Sequence, residues 1–184
     1  MSEFHKMSIA GLERSLEKFP VSDKLDIAAF ILFGDVEVTV AAAAELLKKV
    51  PEFDYIITPE AKSIPLAYEM ARQSGKPYIV IRKGVKVYMR DPVSVTVRSI
   101  TTAKEQKLFL GMEDVEKISG KRVLIVDDVI STGESLRAIE ELVEHAGGNI
   151  VGKIAILAEG DAKDREDIKY LEVLPLFRAD GTEI

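Results

Sequence analysis

The chain has 184 residues, a net charge of −6, no cysteine and 47% hydrophobic residues. It is long enough to bury one sizeable core without disulfides, so residues 1–184 are expected to form a single domain. The moderate acidity argues against general nucleic-acid binding. With no long apolar span and no charged-apolar-small leader, a soluble cytoplasmic protein off the membrane is expected.

In chain order, Ile9, Leu12, Leu16 and Phe19 recur at three- and four-residue spacing ahead of Pro20, which predicts an opening helix. Residues 38–50, rich in Ala and ending Leu-Leu-Lys-Lys-Val, predict a second helix. An alternation then begins: strand Phe53–Thr58, helix Ile64–Ser74 and strand Pro77–Ile81. After an insertion come strand Val123–Val126, helix Ser135–Ala146 closed by Gly147-Gly148, and strand Ile150–Leu157. This rhythm predicts an α/β, Rossmann-like fold with a twisted, mainly parallel sheet of about five strands flanked by helices. Inside the insertion Val93, Val95 and Val97 alternate with polar residues and Gln-Lys-Leu-Phe-Leu follows, so residues 82–110 predict an antiparallel hairpin.

The most informative stretch is Arg122-Val-Leu-Ile-Val-Asp-Asp-Val-Ile-Ser-Thr-Gly-Glu-Ser135. It reads as a buried strand, an acidic pair, a short turn and the start of a helix, the order expected where a parallel strand opens on a ligand crevice. Asp127 and Asp128 are acceptor-only when ionised, so they suit the vicinal hydroxyls of a ribose or a hard cation held through water. Ser131, Thr132, Gly133, Glu134 and Ser135 enter a helix whose unpaired N–H groups and dipole favour an anion. Together they describe a site for a ribose 5-phosphate. Two other readings share these residues. A phosphoryl-accepting receiver domain would need an Asp and a Lys on later strands, within fewer than sixty remaining residues. In a plain strand-turn-helix the Ser and Thr would merely cap the helix.

Two further turns are expected to open at the same sheet edge. Thr58-Pro-Glu-Ala-Lys-Ser63 joins the first sheet strand to its helix, where Ser63 can cap and Lys62 can face a second anion. Arg82-Lys83 end the next strand. Lys86, Arg90, Arg98, Lys104 and Lys107 add further positive charge to the hairpin segment.

Residues 123–135 resemble the phosphoribosyl diphosphate (PRPP) motif of type I phosphoribosyltransferases, and the chain is most similar to the adenine members of that family. The resemblance implies a magnesium-dependent transfer of the 5-phosphoribosyl group from PRPP to a purine base, with Mg²⁺ held near Asp127 and Asp128. It implies that Asp127 and Asp128 orient the ribose, and that Glu60, Ala61, Lys62, Ser63, Arg82 and Lys83 hold the pyrophosphate. The first four of these match a turn that in the family often carries a non-proline cis bond. It also implies a flap at about 83–110, a hood built from about 1–37 and 170–184, and a homodimer paired through sheet-flanking helices.

The similarity has gaps. The adenine enzymes' flap Glu, their general base, aligns with Thr101 in Ser99-Ile-Thr-Thr-Ala103, which leaves Glu105 or Asp91 as candidate proton acceptors. Leu25 stands where their hood carries Arg. For the base itself, Phe30, Phe33, Val129 and the segment Leu174–Phe177 are candidates. Transfer to hypoxanthine, guanine or xanthine, and a non-catalytic PRPP or nucleotide sensor, are the rival expectations.

Overall fold

The computed structural model describes residues 4–98 and 105–184. It opens not with a helix but with a hairpin, β1 (Phe4–Ile9) and β2 (Leu12–Ser22), followed by β3 (Leu25–Ala28). The turn Ala10-Gly11 has φ of 50° and 81°, the double positive φ that a two-residue turn needs to match the twist of its strands. Ile9 pairs with Leu12 across it. The three-and-four spacing of Ile9, Leu12 and Leu16 was therefore accidental: the strand alternates, with Glu13 and Ser15 outward, and Phe19 is exposed. Pro20 sits in β2 opposite Asp26 of β3, next to the irregularity between Pro20 and Ser22.

Helix α1 (Val36–Leu47) follows. Its N-cap Asp35 accepts from the Val38 N–H at 3.2 Å and from Arg14 Nε at 2.6 Å, which fastens the helix to β2. Next come β4 (Tyr55–Pro59), α2 (Ile64–Ser74) and β5 (Tyr78–Ile81). The insertion forms the expected antiparallel pair, β6 (Val93–Arg98) and β7 (Glu105–Leu110), followed by a short helix α3 (Met112–Ile118) that the residue pattern did not indicate. Then come β8 (Arg122–Ile130), α4 (Glu134–His145), β9 (Asn149–Glu159), a 3₁₀ turn (Gly160–Asp164), β10 (Lys169–Leu174) and β11 (Leu176–Arg178).

Five strands form one parallel sheet in the order β10-β9-β8-β4-β5, and β1-β2-β3-β11 form an antiparallel sheet. Lys169–Leu174 thus belongs to the parallel sheet, so of the 170–184 segment assigned to the hood only β11 joins the antiparallel one. The central strand β8 is buried on both sides. Leu124 and Val126 pack with Ile56 against α1 and α2, while Val123 and Ile125 pack with Ile57 against α4 and the hairpin residues Leu108 and Leu110. Strand β8 also runs on through Asp127 to Ile130, four residues past the expected end, so the acidic pair lies inside the ladder, with Asp127 opposite Ala155.

The chain winds outward from β4 to β5 on one side and from β8 through β9 to β10 on the other, which makes the β4–β8 boundary the switch point of the sheet. At the amino-terminal end Arg122 donates to Asp54 from its backbone N–H (2.9 Å) and from its guanidinium (Nη2, 2.9 Å). Among the described residues no helix is long and apolar enough to cross a membrane.

The Arg14 guanidinium holds the Asp35 carboxyl below the ordinary carboxylate range. The folded chain therefore takes up this proton less readily than the unfolded chain. The resulting stabilisation is complete above about pH 4, the unfolded value, and is lost as pH falls through the lower folded value. Asp35→Asn keeps a capping side chain but not the charge. It is expected to be less stable than wild type in urea unfolding at pH 7, with the gap closing below about pH 4; a gap that does not change with pH would contradict the assignment.

Candidate functional site

The turns after β4 and β8 enclose a cavity of about 400 Å³. Its polar wall includes Glu60, Lys62, Lys83, Asp127, Asp128 and the turn residues Ser131 to Gly133 with Ser135. Its apolar wall includes Pro59, Leu108, Val129, Ile130, Leu136 and Ile139. Apart from Val129, none of these apolar positions was distinguishable in the sequence from ordinary core.

The first turn is rigidly built. The peptide bond between Glu60 and Ala61 is cis, as the resemblance implied for this turn. Glu60 accepts from the Lys83 N–H at 3.0 Å and lies 3.3 Å from Arg82 Nη2. The Lys83 N–H, followed by the neighbouring cations, holds its carboxyl below the ordinary range. Arg82 does not border the cavity; it exchanges backbone hydrogen bonds with Phe109 and so roots the hairpin on β5. Thr58 Oγ1 donates to the Val126 carbonyl at 2.8 Å and lies 2.7 Å from Ser63 Oγ, which donates to the Pro59 carbonyl at 3.1 Å. Ser63 is thus buried in the turn and its hydroxyl does not cap α2, contrary to the expected capping bond.

The acidic pair is the electrostatic centre. Asp128 is only 4% exposed, and its Oδ2 is a buried oxygen that accepts no hydrogen bond among the described residues, with Lys62 Nζ 3.2 Å away as an opposite charge. Asp127 Oδ1 accepts the Asp128 N–H at 2.9 Å. Burial first, and the adjacent Asp128 carboxylate second, push the Asp127 carboxyl well above the ordinary range. Glu159, at the end of β9, is also pushed up by burial, with Lys62 opposing the shift.

The second turn is open to a ligand. Gly133 is the N-cap of α4 with φ of 81°, and no side chain caps that helix. Ser131 and Thr132 therefore do not serve merely as caps, and the positive end of α4 borders the cavity at Gly133 and Ser135. Glu134 is the member of this turn that does not line it.

Other expected residues fall elsewhere. Phe30 is a core side chain and Phe33 is 54% exposed; neither lines the cavity, because the chain between β3 and α1 turns them to the core and the surface respectively. Leu174 and Phe177 are buried in the core, with Phe177 tilted against His5 and covered by Lys18. Thr101 and the side chain of Glu105 lie outside the described residues.

Among the described residues no three acidic or histidine side chains converge on a metal. The Asp128 Oδ2, buried beside Asp127 with no hydrogen bond and only Lys62 Nζ set against its charge among the described residues, nevertheless fits Mg²⁺, a hard ion that keeps several waters and shares its shell with substrate phosphates.

An open parallel sheet, with a cavity at its switch point that joins an acidic pair to a helix start, defines a doubly wound α/β protein with a crevice at the carboxyl ends of its strands. Residues 37–178 match the family model of the phosphoribosyl transferase domain, and the chain belongs to that family. An adenine phosphoribosyltransferase of Petrotoga mobilis is 33% identical over 76% of this chain and 78% of its own length. A hypoxanthine/guanine phosphoribosyltransferase of Methanococcus voltae is 33% identical over 89% of this chain and 82% of its own. The fold is shared with a crystal structure of adenine phosphoribosyltransferase from Thermoanaerobacter pseudethanolicus, with a TM-score of 0.71, 23% identity and coverage of 86% of this chain and 95% of that one.

Thr58→Val should leave the buried Val126 carbonyl without its side-chain donor and cost about 1–3 kcal/mol in denaturant unfolding. Thr58→Ser, which keeps the hydroxyl, should cost clearly less; equal losses would show that the methyl group, not the hydrogen bond, matters.

Proposed function

We propose that this chain is a magnesium-dependent purine phosphoribosyltransferase that transfers the 5-phosphoribosyl group of PRPP to adenine, giving AMP and pyrophosphate, as a cytoplasmic salvage enzyme. One observation carries the reading: the acidic pair, the uncapped start of α4 and the cationic turns with Lys62 and Lys83 surround one cavity of about 400 Å³. In this reading Asp127 and Asp128 orient the ribose hydroxyls, and Ser131 to Ser135 hold the 5-phosphate. Residues 60–63 and Lys83, with Arg82 behind them, receive the pyrophosphate.

The C1–O bond to pyrophosphate breaks as a base nitrogen forms the C1–N bond, and the leaving oxygens carry away the electron pair. Positive charge that develops on the ribose is offset by the acidic pair. Mg²⁺, when bound near Asp127 and Asp128, supplies charge neutralisation for the diphosphate. The base's N–H proton needs an acceptor: Glu105 on the hairpin is our candidate, with Thr101 in the position of the relatives' flap Glu. Closure of the hairpin over the cavity would exclude the water that competes for C1.

Hypoxanthine or guanine is the second reading, favoured by the Methanococcus voltae relative, which is as similar as the adenine one and matches more of the chain. Pyrophosphate release from PRPP and Mg²⁺, followed separately with adenine, hypoxanthine, guanine and xanthine, decides between them. Adenine is expected to support release, and Asp127→Asn/Asp128→Asn to abolish it together with PRPP binding while the protein stays folded. Release with another base alone would replace adenine. PRPP binding with no release on any base would replace catalysis by a sensing role.

We also propose a second copy of the chain as partner. Between α1 and α2 lies an apolar groove of about 450 Å³ lined by Val36, Val40, Ile64 and Tyr68, and Val36 and Tyr68 are 71% and 56% exposed. Light scattering should report a dimer that Tyr68→Glu converts to monomer; a wild-type monomer would refute the pairing.

A further inference from the structure

Arg165 lies between the 3₁₀ turn and β10, thirty-two residues beyond Gly133 in the chain. Its Nε and Nη2 donate to the two oxygens of Asp167 at 2.9 and 2.7 Å, a forked pairing that fixes the guanidinium plane. Asp167 also receives Lys153 Nζ at 2.5 Å, and Lys153 is paired in turn with Glu140 of α4. The hydrogen bonds from Arg165 and Lys153 draw the Asp167 carboxyl far below the ordinary range, as expected of a carboxylate held charged. The arginine is thus tied, through three ion pairs that run by way of Asp167 and Lys153 to Glu140, to the helix whose first residue follows Gly133.

The remaining nitrogen, Nη1, is turned toward that glycine. A Cβ placed on Gly133 would stand 2.2 Å from it, so the guanidinium is packed against the glycine α-carbon. Position 133 therefore favours glycine by its φ of 81°, and a Cβ there would also push the Arg165 guanidinium aside. Asp167 and Glu134, an acid in the first turn of α4, offset part of the positive charge here, but a cation beside the amino-terminal end of a helix still adds to the positive end of the dipole, and the N-cap, a glycine, has no side chain to offer. An anion resting on the amides of that turn would relieve both at once.

We propose that Arg165 is the fixed cation of the sugar-phosphate turn, a positioning residue that acts across Gly133 to set affinity for the terminal phosphate of the phosphorylated sugar. This rests on the reading of the cavity given under Proposed function. The side chain is 30% exposed, and Asp167 holds it in place without occupying Nη1. It does not line the cavity itself; it acts across Gly133 on an anion in the turn, with solvent and salt screening part of its charge.

The test is titration calorimetry of ribose 5-phosphate and, separately, of pyrophosphate with Mg²⁺, on wild type, Arg165→Gln and Arg165→Lys, with melting temperatures recorded for each. We expect Arg165→Gln to weaken ribose 5-phosphate about tenfold or more, to flatten its salt dependence, and to leave pyrophosphate affinity near wild type, with Arg165→Lys recovering most of the loss. In turnover the same change should raise the KM for PRPP more than it lowers kcat. Asp167→Asn, which keeps the cation and loosens its tether, should show a smaller loss of the same kind. Unchanged ribose 5-phosphate binding in Arg165→Gln would overturn the proposal, as would equal losses in Gln and Lys variants or equal losses for both ligands, since packing rather than charge would then be at work. A wild type that binds neither ligand would overturn the reading of the cavity along with it.

Discussion

The ladder between β4 and β8 is the constraint on which everything else depends. Two parallel strands side by side must deliver their following turns to the same edge, and because the chain departs from them in opposite directions those turns cannot be covered by each other's crossovers. The ladder is clamped at both ends. At the entry Arg122 reaches the Asp54 carboxylate and Asp54 N–H donates to the Arg122 carbonyl at 2.8 Å; at the exit the Thr58 hydroxyl takes the Val126 carbonyl. A slip of one residue would turn Leu124 and Val126 toward α4 and break both clamps, so burial on two faces and polar pairing at the ends specify one register.

That register places charge where hydrophobic packing alone would not. Asp127 and Asp128 continue a strand whose preceding four residues are fully buried, and the half-buried Asp127 and buried Asp128 carboxylates repel each other. The structure offsets this in part with Lys62 from the opposite turn, and in part by raising the proton affinity of Asp127. Charges held in this way seldom add to stability, since desolvation consumes most of what pairing returns. Their presence at the switch point is better understood as a standing affinity for hydroxyls and cations, with the unsatisfied Asp128 oxygen as the clearest mark of it.

The same logic explains which parts could be read from the chain and which could not. Helix α2 was legible to the residue because Pro65 opens it and Gly75, with φ of 69°, closes it, and both are local signals. The strand, acidic pair and hydroxyl-glycine turn of 122–135 were legible because they occur together in sequence. The opening hairpin was not, since Ile9, Leu12 and Leu16 satisfy a helical spacing as well as a hairpin, and the deciding turn uses Ala10 at positive φ, where glycine or asparagine would have announced it. Strand β10 was missed because only Leu174 of its six residues is buried, which leaves an edge strand with little alternation. Phe30 and Phe33 do not line the cavity, since aromaticity does not reveal which side of a connection faces it. Lys62 was expected to face an anion and instead bridges to Asp128, a pairing across sixty-six residues that depends on the fold being closed.

The division between what is local and what is long-range also bears on specificity. The groups proposed to hold phosphate and ribose lie on two turns fixed by the central ladder, so their geometry follows from the most buried part of the protein. Recognition of the third component has no such support: Val129, Leu108 and Ile139 give the cavity an apolar wall, but they belong to three separate elements whose spacing depends on how the β6–β7 hairpin rests against β5 and α4. Among the described residues that hairpin is rooted at its β5 end by the Arg82–Phe109 backbone hydrogen bonds. A small change in its seating moves one wall of the cavity and leaves both anion-holding turns where they are. A fold built this way can keep one phosphorylated sugar while exchanging the base it is joined to, which is what relatives equally similar to this chain, one named for adenine and one for hypoxanthine and guanine, would require of it.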